Sequence, residues 1–196
     1  MEHYAAKYAA ADPYALSERS GAPFDAEGFH VCVLGQALRA TWPDFTLTAE
    51  AGASAALKLG AYLRILVIRY LLEGVAVPPS GKFLSFREFP QAAIYDTTFQ
   101  GRCVRRLAST FGGRSAAFQQ AAGQLGGTPF DAGSAVAMEL PFLGEVRVRL
   151  ILHEGDDEFP PTAQFLFSDN AAAAFSAEDL AVVGDTVIAA LTACVE

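Results

Sequence analysis

Two groups of short strand patterns, separated by helical patterns, constrain the fold of this chain more than any other feature. In the first group, about 29–49, apolar and polar residues alternate over 29–33, and two further short strands follow around Pro43-Asp44. In the second group, about 135–167, the alternation is clearest over 146–152. Strands that come in blocks, and do not alternate with helices, indicate antiparallel pairing. We therefore predict an α+β fold with antiparallel sheets.

About five helices are predicted to pack with these strands. Helical periodicity places them at 2–19, 53–72, 95–111, 115–124 and from just after Ser176 to about 193. The pattern over 53–72 is apolar on nearly all sides, which is typical of a buried helix, so we expect this helix at the centre of the molecule. Asp179 follows Ser176 at the spacing of a capping box, which marks the start of the last helix.

The length and composition predict a single domain over 1–196. Hydrophobic residues make up 52 % of the 196 residues and charged residues 18 %, which is typical of a chain with a large core. No apolar run reaches the ~18 residues needed to span a bilayer. The first twenty residues lack a basic segment followed by an apolar one, so no signal peptide is predicted and we expect a cytoplasmic protein.

The charge of the chain is unevenly distributed. The net charge is −8; residues 1–144 hold 12 Lys/Arg and 12 Asp/Glu, whereas residues 145–196 hold 2 Lys/Arg and 10 Asp/Glu. An acidic chain repels nucleic acid and anionic membranes, so neither is a predicted partner. The sequence also contains no phosphate-binding glycine loop, nucleophile elbow or zinc-binding helix motif. We therefore predict no cofactor.

The three cysteines are expected to be buried thiols. They stand far apart without a C-x-x-C pair, which argues against a disulfide framework and against a zinc site. Each lies in an apolar pattern, where a cysteine behaves as a small hydrophobic side chain.

The densest charge lies in an acidic turn, 153–158, in which His153 precedes four carboxylates around Gly155. Carboxylates at this density can bind a hard cation or share a proton for acid–base chemistry. The spacing does not match a calcium loop, however, and a solvated turn or a docking site fits equally well. We predict that the protein carries no stoichiometric metal.

Arg102 and Arg106 are four residues apart and border the apolar stripe of the helix 95–111. Arginine matches carboxylates and phosphates with two parallel hydrogen bonds. The pair can clamp the acidic turn, lie on a solvated flank or bind an anionic ligand. Because the acidic turn is the obvious internal partner, we predict that Arg102 or Arg106 contacts it.

Arg87 and Glu88 lie between the apolar residues Phe86 and Phe89. They are expected either as a buried ion pair or at the rim of a cleft. His30 and His153 would meet only if the two strand groups are neighbours. No catalytic residue is assigned. The candidate ligand- or partner-binding residues are Arg87, Glu88, Arg102, Arg106, His153, Asp156, Asp157 and Glu158.

Several runs, in order over about 29–191, resemble a bacterial and archaeal family known as domain of unknown function 3786. The runs are VLGQALRATWPDFTLTA, LVIRYLL, GKFLSFREFPQAAIYDTTF, LGGTPFDAGSAVAMELP, EGDDEFPPTAQFLFSDNA and SAEDLAVVG. The family has no established activity. Some members are joined to iron–sulfur modules or lie near corrinoid and one-carbon genes. For this chain the resemblance implies only a link to metabolism.

This chain departs from the family pattern at two positions. His153 stands where the family commonly has an aromatic residue, and Arg69-Tyr70-Leu71 stands where it commonly has His-Tyr-Leu. A site built on that helix histidine is therefore not expected here.

These observations favour a non-catalytic binding or accessory module of bacterial or archaeal metabolism, acting on a protein partner or a small molecule. The alternative is an enzyme with a carboxylate-lined cleft built from Asp156, Asp157 and Glu158 together with Arg87 and Glu88. A pocket that joins these residues and shifts their pKa values would favour the enzyme. The sequence leaves the oligomeric state open.

Overall fold

The computed structural model describes residues 2–195, and its strands form two antiparallel sheets. The first sheet has the order β1-β2-β3-β4, with β1 at Phe24–Asp25, β2 at Gly28–Val33, β3 at Gln36–Ala40 and β4 at Leu47–Ala49. The second has the order β5-β9-β8-β7-β6, with β5 at Phe83–Ser85, β6 at Thr128–Pro129, β7 at Val136–Pro141, β8 at Arg147–His153 and β9 at Thr162–Ser168. The predicted α+β fold with antiparallel pairing is confirmed.

The strands at the edges of both sheets are short. Each edge strand has 2 or 3 residues, whereas the inner strands have 5 to 7. Within the inner strands the side chains alternate between the core and the surface. In β8, for example, Val148 and Leu150 are buried and Arg147 and Arg149 are partly exposed, as the alternation predicted.

A two-residue turn, Leu34-Gly35, joins β2 and β3. Its φ angles are 48° and 69°, and positive values at both positions match the twist of a tight hairpin. The turn ends at Gly35, because Gln36 already pairs with Val33.

The helices lie before, between and after the strands. They are α1 (Glu2–Ala10), α2 (Pro13–Ser20), α3 (Ala61–Glu73), α4 (Asp96–Phe99), α5 (Arg106–Phe111), α6 (Ser115–Gln124), α7 (Ala171–Ala174) and α8 (Ala177–Ala193). A π-helical segment, Gln100–Arg105, connects α4 to α5. Among residues 2–195 no helix has the length and apolar character required to cross a membrane.

The single helix predicted over 2–19 is wrong, because two helices occupy that region. Pro13 cannot donate a backbone hydrogen bond, and it takes the first position of α2. The Asp12 side chain caps the new helix by accepting a hydrogen bond from the Tyr14 amide at 3.0 Å.

The helix predicted over 53–72 begins eight residues late, at Ala61, and runs to Glu73. Its first part is replaced by turns, because the buried Gln36 side chain accepts a hydrogen bond from the Ser54 amide at 2.6 Å. The remainder is buried as expected, with Leu63, Leu66 and Val67 at most 2 % exposed.

The last helix, α8, begins where the sequence predicted. The Ser176 hydroxyl and the Asp179 carboxylate form the capping box. Asp179 also forms an ion pair with Arg69 of α3, with 2.8 Å between Nη1 and Oδ1. Arg69 thus connects α3 to α8.

The buried side chains from both sheets and the helices form one continuous core. Cys103 lies within it, as predicted, but Cys32 is exposed. The expectation of three buried thiols was wrong because Cys32 lies on the open face of β2, opposite the buried Val31 and Val33.

Candidate functional site

One carboxylate of the acidic turn after β8, that of Asp156, is hydrogen-bonded to the backbone of the turn itself. Asp156 Oδ1 accepts hydrogen bonds from the amides of Glu158 at 2.9 Å and Phe159 at 2.7 Å. These bonds favour the ionised form and hold the pKa of Asp156 below its ordinary value. The residues 154–158 are all exposed, and His153 is partly exposed at the end of β8.

Arg87 and Glu88 are both exposed, so a buried ion pair between them, one of the two expected arrangements, is wrong. The Glu88 carboxylate accepts hydrogen bonds from the hydroxyl and the amide of Ser85, each at 2.7 Å. The same bonds lower the pKa of Glu88. Glu88 therefore closes a local turn after β5.

The predicted contact between the arginine pair and the acidic turn is wrong. Arg102 forms an ion pair with Asp185 of α8, and Arg106 Nη1 lies 3.9 Å from the other oxygen of the same carboxylate. The acidic turn lies instead at the far end of α5, where Pro161 packs closely against Gly112. Arg106 and Gly112 are six positions apart along the helix, which corresponds to a rise of about 9 Å along its axis.

The two arginines border a cleft between α8, the 56–63 segment and the α4–α5 region. Its larger cavity has a volume of ≈ 310 Å³ and is lined by Lys58, Tyr62, Arg106, Asp185, Thr186 and several small residues of α8. This volume lies at the lower limit of typical small-molecule pockets. Of the candidate residues predicted from the sequence, Arg106 is the one that lines it.

A smaller cavity of ≈ 60 Å³ adjoins the first and is lined by Tyr62, Phe99, Arg102, Cys103, Val182 and Asp185, among others. Burial raises the pKa of the Cys103 thiol to about 12, with a further contribution from the charge of Asp185 that the two arginines oppose. The thiol is therefore protonated at neutral pH and is not poised as a nucleophile.

The π-helical segment and Gly184 together form this part of the cleft. A Cβ atom on Gly184 would lie 2.5 Å from the Phe99 ring and 2.9 Å from Cys103 Sγ, so the glycine permits the close approach of α8. π-Helical turns are rare and occur frequently at functional sites. Here the segment contains Arg102, and Arg106 follows directly after it.

The cleft carries a surplus of positive charge. Among residues 2–195, Lys58, Arg102 and Arg106 line it together with one carboxylate, Asp185, which gives three positive charges against one negative. Within residues 2–195 Lys58 forms no ion pair. The ion pair of Arg106 is the long one to Asp185, at 3.9 Å. A net charge of +2 therefore lies in a chain of net charge −8.

The ends of two helices also border the larger cavity. The N-cap of α3 is Gly60, which has no side chain to cap the free amides of the first turn. Carbonyls at the end of α8 already accept hydrogen bonds from the amides of Cys194 and Val195. The positive end of the α3 dipole and the negative end of the α8 dipole thus both border this cavity.

Sequence reasoning missed three residues of the cleft: Lys58, Tyr62 and Asp185. Asp185 did carry a signal, because it is the sole charged residue of the helix beyond Asp179. A lone carboxylate in an apolar helix predicts a cationic partner. Lys58 carried none, since the segment around it was expected to be helical.

The two histidines that could have formed a pair lie in different sheets. His30 Nε2 is 2.8 Å from Asp25, and its Nδ1 is 3.5 Å from Glu50, both in the region of the first sheet. His153 ends β8 of the second. Across residues 2–195 no three His, Cys, Asp or Glu side chains are grouped as metal ligands.

Comparison with known proteins identifies the family of the chain. No curated protein and no solved structure matched the chain. A family model described as Domain of unknown function (DUF3786) matches residues 12–190, which include α2, both sheets and nearly all of α8. The match extends the resemblance seen in the sequence toward the N-terminus. The chain therefore belongs to the DUF3786 family.

Proposed function

We propose that this protein is a non-catalytic binding module that holds a small organic anion in the cleft between α3, α5 and α8. The observation that carries the proposal is that Lys58 and Arg106 converge on one cavity in which, among residues 2–195, Lys58 forms no ion pair and Arg106 forms a long one, at 3.9 Å, to Asp185. In a chain of net charge −8 such a surplus attracts an anion that the rest of the surface repels.

The chemistry of the cleft supports binding over catalysis. Its thiol is held protonated by burial, and its single carboxylate is engaged by Arg102. A nucleophile or general base needs a free acceptor next to the reacting atom. Neither group meets that requirement.

The alternative, an enzyme with a carboxylate-lined cleft, has less support. Asp156, Asp157 and Glu158 line neither of the two cavities, and neither do Arg87 and Glu88. The pKa values of Asp156 and Glu88 are lowered by local hydrogen bonds, whereas a general acid needs a raised value. We retain as part of the proposal that the module serves bacterial or archaeal metabolism in the cytoplasm, with the corrinoid and one-carbon link implied by the resemblance.

Isothermal titration calorimetry tests the proposal with inorganic phosphate and a panel of small carboxylates. We expect at least one anion to bind with a dissociation constant below about 1 mM, and Arg106→Gln to weaken it about tenfold or more, the usual effect of losing a hydrogen bond to a charged group. Arg105→Gln is the matched control, because Arg105 is exposed in the same helical stretch and lines neither cavity. Absence of binding across the panel, or equal effects of both variants, would contradict the proposal.

A further inference from the structure

The smaller cavity next to the π-helical segment differs in character from the larger one. The two share Tyr62, Val182 and Asp185 as lining residues, so a molecule in the larger cavity lies next to the smaller. Tyr62 is 67 % exposed and lies at the surface of both. A ligand with two chemically different ends can thus occupy both.

The floor of the smaller cavity is apolar. Phe99 and Cys103 are each 1 % exposed, and Ala181 and Val182 complete the wall on α8. The Cys103 thiol is neutral at physiological pH because burial raises its pKa to about 12. A neutral thiol behaves as a small hydrophobic group.

The charges at the mouth of this cavity are already paired. Arg102 and Asp185 form an ion pair with each other, so neither offers a free charge to a guest. Lys58 and Arg106, which among residues 2–195 have no ion pair shorter than 3.9 Å, line the larger cavity and not the smaller. Polar and apolar binding surfaces are therefore separated along the cleft.

The volume limits what can enter. An apolar cavity of about 150 Å³ accepts a benzene ring. The smaller cavity, at ≈ 60 Å³, has less than half of that space. It accommodates a short aliphatic tail and not an aromatic ring.

We propose that the ligand is a small aliphatic acid whose anionic group lies at Lys58 and Arg106 and whose short tail enters the smaller cavity beside Phe99. This inference rests on the proposed function and names the class of ligand. Burial of the tail against the apolar floor supplies affinity, and the arginine and lysine supply orientation.

A chain-length series tests the inference on the full chain. Straight-chain carboxylates from acetate to octanoate are titrated by calorimetry. Each buried methylene is expected to tighten binding about fourfold over the first three or four added carbons, after which the affinity stops rising. Benzoate is expected to bind no better than a short straight-chain acid.

A variant that fills the smaller cavity locates the tail. Ala181→Leu is expected to abolish the increase with chain length while acetate binds as before. Ala116→Leu is the control, since Ala116 is exposed on α6 and lines neither cavity. If Ala181→Leu does not fold, Cys103→Ala replaces it, and the larger space is expected to move the plateau to a longer chain.

The outcomes separate the two proposals. If neither inorganic phosphate nor any carboxylate binds, the proposed function fails. If phosphate alone binds, the inference is overturned and the function stands. If carboxylates bind in an Arg106-dependent way but affinity does not depend on chain length, the inference is overturned and the function stands. A chain-length dependence that survives Ala181→Leu, or a plateau that Cys103→Ala leaves in place, also overturns it, because the tail then lies elsewhere.

Discussion

Two regions of the molecule are rich in charge: the acidic turn at 153–158, and the cleft bordered by Lys58, Arg102 and Arg106. The surroundings of the charges differ between the two regions. In the turn, Asp156 accepts hydrogen bonds from two amides of its own loop. In the cleft, Lys58 and Arg106 converge on a cavity where, among residues 2–195, Asp185 is the one carboxylate in the lining. The turn carries more charge per residue, but its residues 154–158 are all exposed and line neither cavity, whereas the charges of the cleft border a cavity.

Charge density in a sequence is therefore a poor guide to a binding site. A local cluster can satisfy itself through neighbouring backbone groups, since Asp and Glu readily accept hydrogen bonds from amides two or three residues on. A cavity lined by charged residues, in contrast, forms where distant segments meet. The residues that meet here come from 56–63, the region of the π-helical segment and α8.

The largest predicted difference is between the reaction rates of two thiols, one of which lies at the floor of the cleft. Cys103 is 1 % exposed and its thiol has a pKa raised to about 12, whereas Cys32 is exposed on β2. With a chromogenic disulfide at pH 8, we expect Cys103 to react at least about a thousandfold more slowly than Cys32, because it reacts only when the structure opens. Mass spectrometry of the labelled peptides measures both rates. Similar reaction rates for the two thiols would mean that Cys103 is not buried at the floor of the cleft.

The next effect concerns the packing that forms the cleft. Gly184→Ala places a methyl group 2.5 Å from the buried Phe99 ring, and we expect a loss of about 1–3 kcal/mol in the free energy of unfolding. Gly123→Ala is the matched control, because that helical glycine has no atom within 4 Å of its added Cβ. Higher helix propensity is expected to stabilise the control by up to about 1 kcal/mol. Urea unfolding compares the two, and the same sign for both would show that α8 does not pack as described.

A smaller effect separates the true arginine partner from the predicted one. A double-mutant cycle on Arg102 and Asp185 should give a coupling energy of up to about 1 kcal/mol, the range for partly exposed ion pairs. The same cycle on Arg106 and Asp157 should be additive within about 0.5 kcal/mol, since these residues do not touch. Both cycles use alanine substitutions and urea unfolding. Coupling in the second cycle would restore the contact between the arginine helix and the acidic turn.

The smallest effect is a titration in the turn. The pKa of Asp156 in the folded chain lies below its ordinary value, so its contribution to stability is fully present above the unfolded pKa. That contribution is lost as the pH falls through the folded pKa. NMR titration of the Asp156 carboxyl, in buffer and in concentrated urea, should show the lower pKa in buffer. An equal or higher pKa in buffer would show that the backbone amides of the turn do not stabilise the ionised Asp156 carboxylate.

The sequence predicted the features whose causes are local. Alternation predicted β8, the capping box at Ser176 predicted the start of α8, and periodicity predicted α6 at 115–124. Grouping of the strands predicted the antiparallel α+β class, because a short hairpin cannot make a parallel crossover.

The features that failed depend on distant contacts. The segment before α3 is not helical because Gln36, on another element, binds Ser54. Arg102 contacts Asp185 because Gly184 allows α8 to approach the π-helical segment. Arg106 was recognised as a possible anion ligand, but Lys58 and Tyr62 were not, since only the folded chain brings them to the same cavity.

The short edge strands have a consequence for the behaviour of this chain in concentrated solution. An exposed sheet edge offers unpaired amides and carbonyls to another molecule, and long edges promote aggregation. Here the edges β1, β4, β5 and β6 expose only 2 or 3 residues each, and Pro129 in β6 lacks an amide to donate. A protein in which 52 % of residues are hydrophobic is thereby protected from edge-to-edge association, and its net charge adds mutual repulsion between molecules.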